Sequence, residues 1–227
     1  MNEMNRKQIA MNRRESTLKK LSVLGIDYCK GLPLIGDCKL YKSENQICKR
    51  FIASLFFSML ACDYIQDRDY YETDGKKITE QAVEEFKLGS YLFPEERKIL
   101  DACDESVAIN VSWTIECCYS LAWILGLVAT DEMEAPCEPD GSNNLFRFIR
   151  PFHTFADFKA SCNMRQPSEI MDMLDLYYNY HWACVDHRIN DNTKCGELNE
   201  EVVMERRRAL EWLVCQDKDW DNVSLDT

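Results

Sequence analysis

Residues 107–129 read VAINVSWTIECCYSLAWILGLVA and form the most apolar stretch of the chain, with Glu116 as the single charge. A run of this length suits either a membrane span or a helix buried in a protein core. It is flanked by Asp104–Glu105 and Asp131–Glu132 with no basic residue beside them, whereas basic flanks usually orient a membrane span. Polar side chains also interrupt the run: Asn110, Ser112, Thr114 and Ser120. We therefore expect a buried central helix over about residues 107–128 and no membrane partner.

Helical patterns surround this central segment on both sides. Ser43 and Gln46 have the spacing of a capping box, and Pro94 and Pro167 suit the first turn of a helix. Further helices are predicted over 5–24, 43–62, 79–88, the residues after Pro94, one or two short segments of 145–162, 167–189 and 199–215. No alternating strand pattern is present, and 8 Gly and 6 Pro supply few turns for an all-β fold. These patterns predict an all-α fold, a compact irregular bundle of seven or eight helices.

The length of 227 residues suits one domain with a sizeable core. We expect a single domain over residues 1–227. Within it we distinguish a basic N-terminal helix (5–24), an acidic loop with prolines (130–144) and a C-terminal region (165–227).

The net charge of −12 is distributed unevenly. Residues 1–50 hold 11 Lys and Arg against 5 Asp and Glu, whereas residues 51–227 hold 16 against 34. Two interpretations of the basic first helix remain open. It lies exposed on an acidic body, or against it, or it forms a basic arm that binds an anionic partner. A chain with this balance repels phosphate, so nucleic acid is not an expected partner, whereas a basic protein is.

The 12 cysteines show no C-x2-C spacing, so neither a metal site nor a cofactor is predicted. Several lie in apolar helical runs, where a free thiol behaves as a small hydrophobe. Residues 1–20 contain no apolar segment typical of a signal peptide. Reduced cysteines and a cytoplasmic location are therefore expected.

Helical phase places four polar residues on faces that are otherwise apolar. At about 100° per residue, His181 falls among Ile170, Leu174, Tyr177 and Val185, whereas Asp172, Asp175, Asn179 and Asp186 share the opposite face. Arg206 falls at the centre of the apolar stripe of the last helix, and Arg207 and Arg208 are predicted to point progressively away from it. Arg50 opens the apolar half of the second helix, and Glu116 lies in the central one.

Isolated buried charges are costly, so these four residues are expected to be paired. They form either a structural clamp or a site between helices that binds a small anion or performs acid–base chemistry. In the second case His181 is the acid or base, Glu116 orients it or is a second base, and Arg50 and Arg206 hold the anion. Searches for the common phosphate-binding, zinc-protease and nucleophile motifs find none.

Three C-terminal segments resemble the DUF4272 family, a domain of unknown function. They are RQPSEIMDMLDLYYNYHWACVDHRIN (Arg165–Asn190), LNEEVVMERRRALEWL (Leu198–Leu213) and DWDNVSLDT (Asp219–Thr227). Weaker matches include GLPLIGD at 31–37, Arg50 and the segment from Trp113 through Glu116 to Gly126. The resemblance implies a mostly helical, cytosolic, single-domain protein and brings no established activity.

The family motifs add two candidate ligand-binding residues, Trp182 beside His181 and Asp221 beside Trp220. The resemblance also implies that Trp220 packs back on the body and that Asp221 or Asp226 caps an arginine. Taken together, the sequence favours a non-enzymatic protein-binding or regulatory module. The alternative is a small-anion-binding or acid–base enzyme site at Arg50, Glu116, His181 and Arg206.

Overall fold

The computed structural model describes residues 3–36, 39–134, 142–216 and 220–227, without the side chains of residues 142, 143 and 221. The helices are α1 (Glu3–Leu24), α2 (Glu44–Gln66), α3 (Arg68–Tyr70), a π-helical turn (Tyr71–Gly75), α4 (Lys76–Glu85), α5 (Pro94–Asp101), α6 (Glu105–Ser112), α7 (Thr114–Ile124), α8 (Thr130–Glu134), α9 (Ser142–Phe146), α10 (Phe155–Ser161), α11 (Pro167–Ile189), α12 (Glu200–Val214) and a 3-10 turn (Trp220–Asn222).

The all-α prediction is confirmed, since the described residues contain no strand. With 68–85 and 105–124 each counted as one continuous helix, eight helices in this part of the chain have seven residues or more. The acidic segment predicted as a loop over 130–144 begins with α8, and α9 starts at its far end, so only the interior of that segment lies outside the described residues.

Backbone contacts divide the chain into two compact units. Unit 1 comprises Met1–Tyr41, Thr130–Pro139 and Arg165–Thr227, and unit 2 comprises Lys42–Ala129 and Asp140–Met164. The expectation of a single domain over residues 1–227 stays a prediction.

Unit 2 is built around α2, which packs against α6 and α7. The predicted capping box is confirmed: the Gln46 N–H donates to the Ser43 hydroxyl over 3.3 Å, and the Ser43 N–H donates to the Gln46 side-chain oxygen over 2.9 Å. From Ile47 to Leu60 almost every side chain of α2 is buried, because neighbouring helices cover it on several sides. Such burial explains why α2 shows little separation into polar and apolar faces.

The predicted central helix is present as two segments, α6 and α7, that meet at Trp113. It ends in a Schellman motif in which the Leu127 N–H bonds the Ala122 carbonyl and the Gly126 N–H bonds the Trp123 carbonyl. Gly126 has φ +76°, a conformation that favours glycine. Residues Glu105–Ile124 are long and apolar enough to cross a membrane, and 72% of the most apolar window is buried inside the protein, as in a core helix.

Unit 1 is built from α1, α11 and α12. The predicted apolar stripe of the last helix is confirmed by five buried residues: Val202, Val203, Ala209, Leu210 and Leu213. The predicted bounds of α11 agree with the structure, with Pro167 as its first residue. Helix α1 ends in a second Schellman motif at Gly25, which has φ +70°.

Candidate functional site

Arg50 lies in unit 2 and is 2% exposed, because α2 carries it into the core as the helical phase predicts. Its guanidinium forms a salt bridge with Glu96, donates from Nε to the Ser54 hydroxyl over 2.9 Å and donates to the Tyr91 carbonyl over 2.8 Å. The Phe93 ring lies 3.9 Å from its Cζ. Arg50 is thus surrounded by partners from its own helix and from the start of α5.

The pairing of Glu96 with Arg50 was not predicted from the sequence. An acidic residue in the first turn of a helix is already explained by its favourable interaction with the helix dipole. Glu96 also interacts with the start of its own helix, because its second carboxylate oxygen accepts the Phe93 N–H over 2.8 Å. One carboxylate thereby caps α5 and neutralises Arg50.

Glu116 is fully buried in the first turn of α7. Together with Arg50 and Glu96 it acts electrostatically on the thiol of Cys118, whose pKa is raised mainly by burial. Unit 2 therefore brings two of the four predicted residues, Arg50 and Glu116, into one buried polar neighbourhood. The other two, His181 and Arg206, lie in unit 1, so the cluster of four stays a prediction.

His181 is buried on α11, and its partner in the structure is Arg207. Arg207 Nη1 lies 2.7 Å from His181 Nδ1. Arg207 also bonds the Glu211 carboxylate from Nε and Nη2 at 3.2 and 3.1 Å, and its Cζ lies 4.7 Å from the centre of the Tyr178 ring. The result is a row of three titratable groups, with the arginine between an imidazole and a carboxylate.

Burial controls the electrostatics of this row. The pKa of His181 falls from 6.5 to about 4, mainly because of burial, and the positive charges of Arg207 and Arg188 contribute to this decrease. Burial also raises the pKa of Glu211, an effect that the charge of Arg207 opposes. His181 is therefore neutral near pH 7 and accepts the Arg207 hydrogen through Nδ1.

The C-terminal segment, residues 220–227, packs on the same row. Arg207 donates to the Leu225 and Asp226 carbonyls, both over 3.1 Å. Trp220 is buried against Trp212, with ring centres 6.2 Å apart. The expectation that Trp220 packs back on the body is confirmed, and Asp226 serves Arg207 through its backbone carbonyl.

The structure corrects the predicted orientation of the arginines on α12. Arg206 is buried as expected, and its Nη1 lies 3.5 Å from the Tyr177 hydroxyl. Arg207, however, does not point away from the core: it is 2% exposed. The reason is that the C-terminal segment and α11 cover a second face of α12, which helical phase alone does not show.

The two ligand-binding candidates from the family motifs have different outcomes. Trp182 is half-buried on α11. Asp221 lies in the 3-10 turn, and its side chain lies outside the described residues. A binding role for either residue stays a prediction.

Two buried arginines on α1, Arg13 and Arg14, were not predicted from the sequence. Arg14 donates to the Asp175 carboxylate from Nε over 3.1 Å and from Nη2 over 2.8 Å, and Arg13 Nε donates to Asp172 over 2.8 Å. The same two arginines donate to carbonyls of the following loop: Leu32, Pro33 and Ile35. The predicted polar face of α11 is thus partly a buried face, because oppositely charged α1 packs on it.

Surface depressions occur in both units. In unit 2 one of about 540 Å³ is lined by Asp104, Glu105, Ser106, Ile109 and Asn110. In unit 1 one of about 440 Å³ is lined by Lys19, Lys20, Val23, Leu24, Asp131, Glu134 and Tyr180. Neither depression is lined by any of the four residues predicted as a site.

Ten cysteines fall within the described part of the chain, and all ten are free thiols. Within those same ranges, no three His, Cys, Asp or Glu residues are grouped so that they could hold a metal ion.

The fold and these contacts define a helical protein in which the buried Arg14, Arg50 and Arg207 are each paired with a carboxylate of their own unit. The model of the DUF4272 family, a domain of unknown function, matches residues 13–223, and the chain belongs to this family. Comparisons with curated proteins and with solved structures give no match. The matched region includes the Arg50–Glu96 pair and the His181–Arg207–Glu211 row.

Proposed function

We propose that this protein is a non-enzymatic binding module that takes a basic protein partner on an acidic surface of unit 2. The buried charges support a structural role for the predicted site residues. Arg50 is paired with Glu96. Burial, together with the charge of Arg207, keeps His181 neutral, and Arg207 is itself bonded to Glu211. An anion-binding or acid–base site needs a charge that a ligand can reach, so this pairing favours the binding module over that alternative.

The acidic surface is formed by two segments that tyrosine side chains hold together. The Tyr64 hydroxyl donates to the Cys103 carbonyl over 3.0 Å, and the Tyr71 hydroxyl donates to the Ile99 carbonyl over 2.6 Å. These bonds place residues 67–74 beside residues 101–105. The exposed carboxylates of this surface are Asp67, Asp69, Glu72, Asp74, Asp101, Asp104 and Glu105.

Apolar side chains are exposed on these segments or within four residues of them, which is the observation that carries the proposal. Ile65 is 49% exposed, Tyr70 is 40% exposed and Ile109 in the depression is 44% exposed. Protein interfaces commonly combine apolar contacts with surrounding charge that steers the encounter. Cations also lie close by: Arg68 is stacked on Tyr64, Lys76 is paired with Glu72, and Lys98 is paired with Glu95 and interacts with Asp104. Asp69, Asp74, Asp101 and Glu105 remain exposed beside them.

The proposal is tested with a charge reversal and a matched control. Asp69→Lys/Asp74→Lys reverses two exposed carboxylates of the surface, and Asp191→Lys/Glu197→Lys changes the net charge equally on exposed positions of unit 1. Fluorescence anisotropy measures binding of a panel of lysine- and arginine-rich peptides with interspersed apolar residues. We expect the first variant to bind at least about tenfold more weakly and the second to bind as the parent does.

An equal loss in both variants would show that only the net charge matters and would contradict a defined surface. Absence of binding to every basic peptide at low salt would contradict the partner class. Circular dichroism establishes that each variant is folded before binding is compared.

A further inference from the structure

Two thiols of unit 2 lie in contact. Cys48 on α2 and Cys162, the residue that follows α10, have their sulfur atoms 4.0 Å apart. The Phe51 and Phe158 rings stack with centres 5.7 Å apart and an interplanar angle of 10°, which holds the same faces of the two helices together. Because these rings lie within about one turn of the thiols, the contact between the sulfurs is supported by rigid packing.

The two thiols are unequal. Cys48 is fully buried, whereas Cys162 is partly exposed. The Cys48 S–H points at the Cys162 sulfur, and this hydrogen bond lowers the pKa of the Cys162 thiol and raises the pKa of the Cys48 thiol. Cys162 therefore has both the access and the thiolate character of an attacking thiol, and Cys48 is placed to react with it afterwards.

We propose that Cys48 and Cys162 form a peroxide-sensitive pair that is oxidised to an intramolecular disulfide. The Cys162 thiolate attacks one oxygen of hydrogen peroxide, which breaks the O–O bond, releases hydroxide and leaves a sulfenic acid on Cys162. The Cys48 thiol then attacks that sulfur as its proton passes to the departing oxygen, which leaves as water. The two sulfurs together lose two electrons, and the peroxide is reduced to two molecules of water once hydroxide is protonated.

The disulfide would restrain the last residues of unit 2, 162–164. The Asn163 N–H donates to the Leu125 carbonyl over 2.9 Å, so the residue after Cys162 is already fixed to the end of α7. A bond from Cys48 would fix the same segment covalently to α2. Met164 is the last residue of unit 2, so oxidation fastens the point at which the chain leaves this unit.

The test is peptide mapping after limited oxidation of the full chain. The reduced protein receives one molar equivalent of hydrogen peroxide, is alkylated under denaturing conditions and is digested without reductant. We expect the cross-linked Cys48–Cys162 peptide, lighter by two hydrogen atoms than the two reduced peptides, to be the first disulfide product. It should be lost in Cys162→Ser and retained in Cys29→Ser, which removes a half-exposed thiol of unit 1.

Trapping with dimedone tests the order of the two steps. In Cys48→Ser the sulfenic acid on Cys162 has no resolving thiol, so we expect dimedone to label Cys162 more than in the parent chain. The proposal would be overturned if the first disulfide formed between other cysteines. It would also be overturned if, after peroxide treatment, dimedone labelled Cys162 no more than Cys29. If Cys48→Ser does not fold, the cross-link in the parent chain and its loss in the partly exposed Cys162→Ser variant still decide it.

Discussion

The Arg207 guanidinium donates to His181 Nδ1 over 2.7 Å, so the imidazole is the acceptor and carries its own hydrogen on Nε2. A protonated His181 would place a second positive charge against Arg207 in a buried position. The interaction therefore couples the protonation of one histidine to the packing of α11, α12 and the C-terminal segment.

This coupling predicts a pH dependence of stability. The pKa of His181 is about 4 in the folded protein and 6.5 in the reference state, so the unfolded chain binds more protons between these values. The free energy of unfolding should therefore fall as the pH decreases from 6.5 to 4, by up to about 3 kcal/mol from this residue, and level off below pH 4. Urea denaturation at a series of pH values measures the effect.

His181→Asn removes the titrating group while keeping an acceptor, so its stability should fall less over the same pH range. His153→Gln changes an exposed histidine and should keep the dependence of the parent chain. A parallel pH profile for His181→Asn and the parent would refute the coupling.

Removing Arg207 should destabilise unit 1. Arg207→Met leaves Glu211 and His181 without their shared partner and frees the Leu225 and Asp226 carbonyls. Breaking a buried pair in this way costs about 3–5 kcal/mol. Urea denaturation gives the loss, and hydrogen exchange should speed up over residues 220–227. The exposed Arg188–Glu200 pair provides the control, since Arg188→Met should cost less than about 1 kcal/mol.

The Arg14–Asp175 salt bridge should be stabilising only as a pair. Arg14→Met leaves a fully buried aspartate and should cost about 3–5 kcal/mol, whereas the double variant Arg14→Met/Asp175→Leu should recover part of that loss. Lys19→Met, which breaks an exposed pair with Glu15, should change stability by less than about 1 kcal/mol. A double variant no more stable than Arg14→Met alone would contradict the pairing.

Alanine substitutions at two glycines with the same backbone conformation distinguish the cost of backbone strain from the cost of a steric clash. Gly25 and Gly126 have φ +70° and +76°, but a Cβ on Gly25 meets nothing within 4 Å, whereas one on Gly126 lies 2.4 Å from the Asn163 carbonyl oxygen. Gly25→Ala should cost about 1–2 kcal/mol. Gly126→Ala should cost clearly more in the same denaturation assay, because the backbone of Asn163 must move. Equal losses would show that the end of α7 adapts freely.

The positions of the helices along the sequence could be predicted well because they depend on local residues. The capping residues Ser43 and Gln46 and the N-terminal proline of α11 set boundaries within a few neighbouring residues. Burial of His181 and Arg206 followed from helical phase for the same reason. The division into two units did not follow, since it depends on contacts between distant parts of the chain.

The partners of the buried charges could not be predicted, because phase shows which face is polar but not which helix covers it. Helical phase places Asp175 and Asn179 on the polar face of α11, but both are fully buried, because α1 with its arginines packs on that face. Helical phase also predicts that Arg207 points away from the core, but it is buried under the C-terminal segment. In both cases the missing information is a polar partner supplied from elsewhere in the sequence: the arginines of α1 in the first case and the carbonyls of Leu225 and Asp226 in the second.

Unit 1 takes its three pieces from the beginning, the middle and the end of the chain, which sets an order for its assembly on the ribosome. Arg14 emerges early, and its partner Asp175 follows 161 residues later. The last residue of unit 2, Met164, leaves the ribosome before either aspartate that receives α1. Unit 2 can therefore complete its core during translation, while the nascent α1 carries two arginines without their aspartates until α11 has been synthesised.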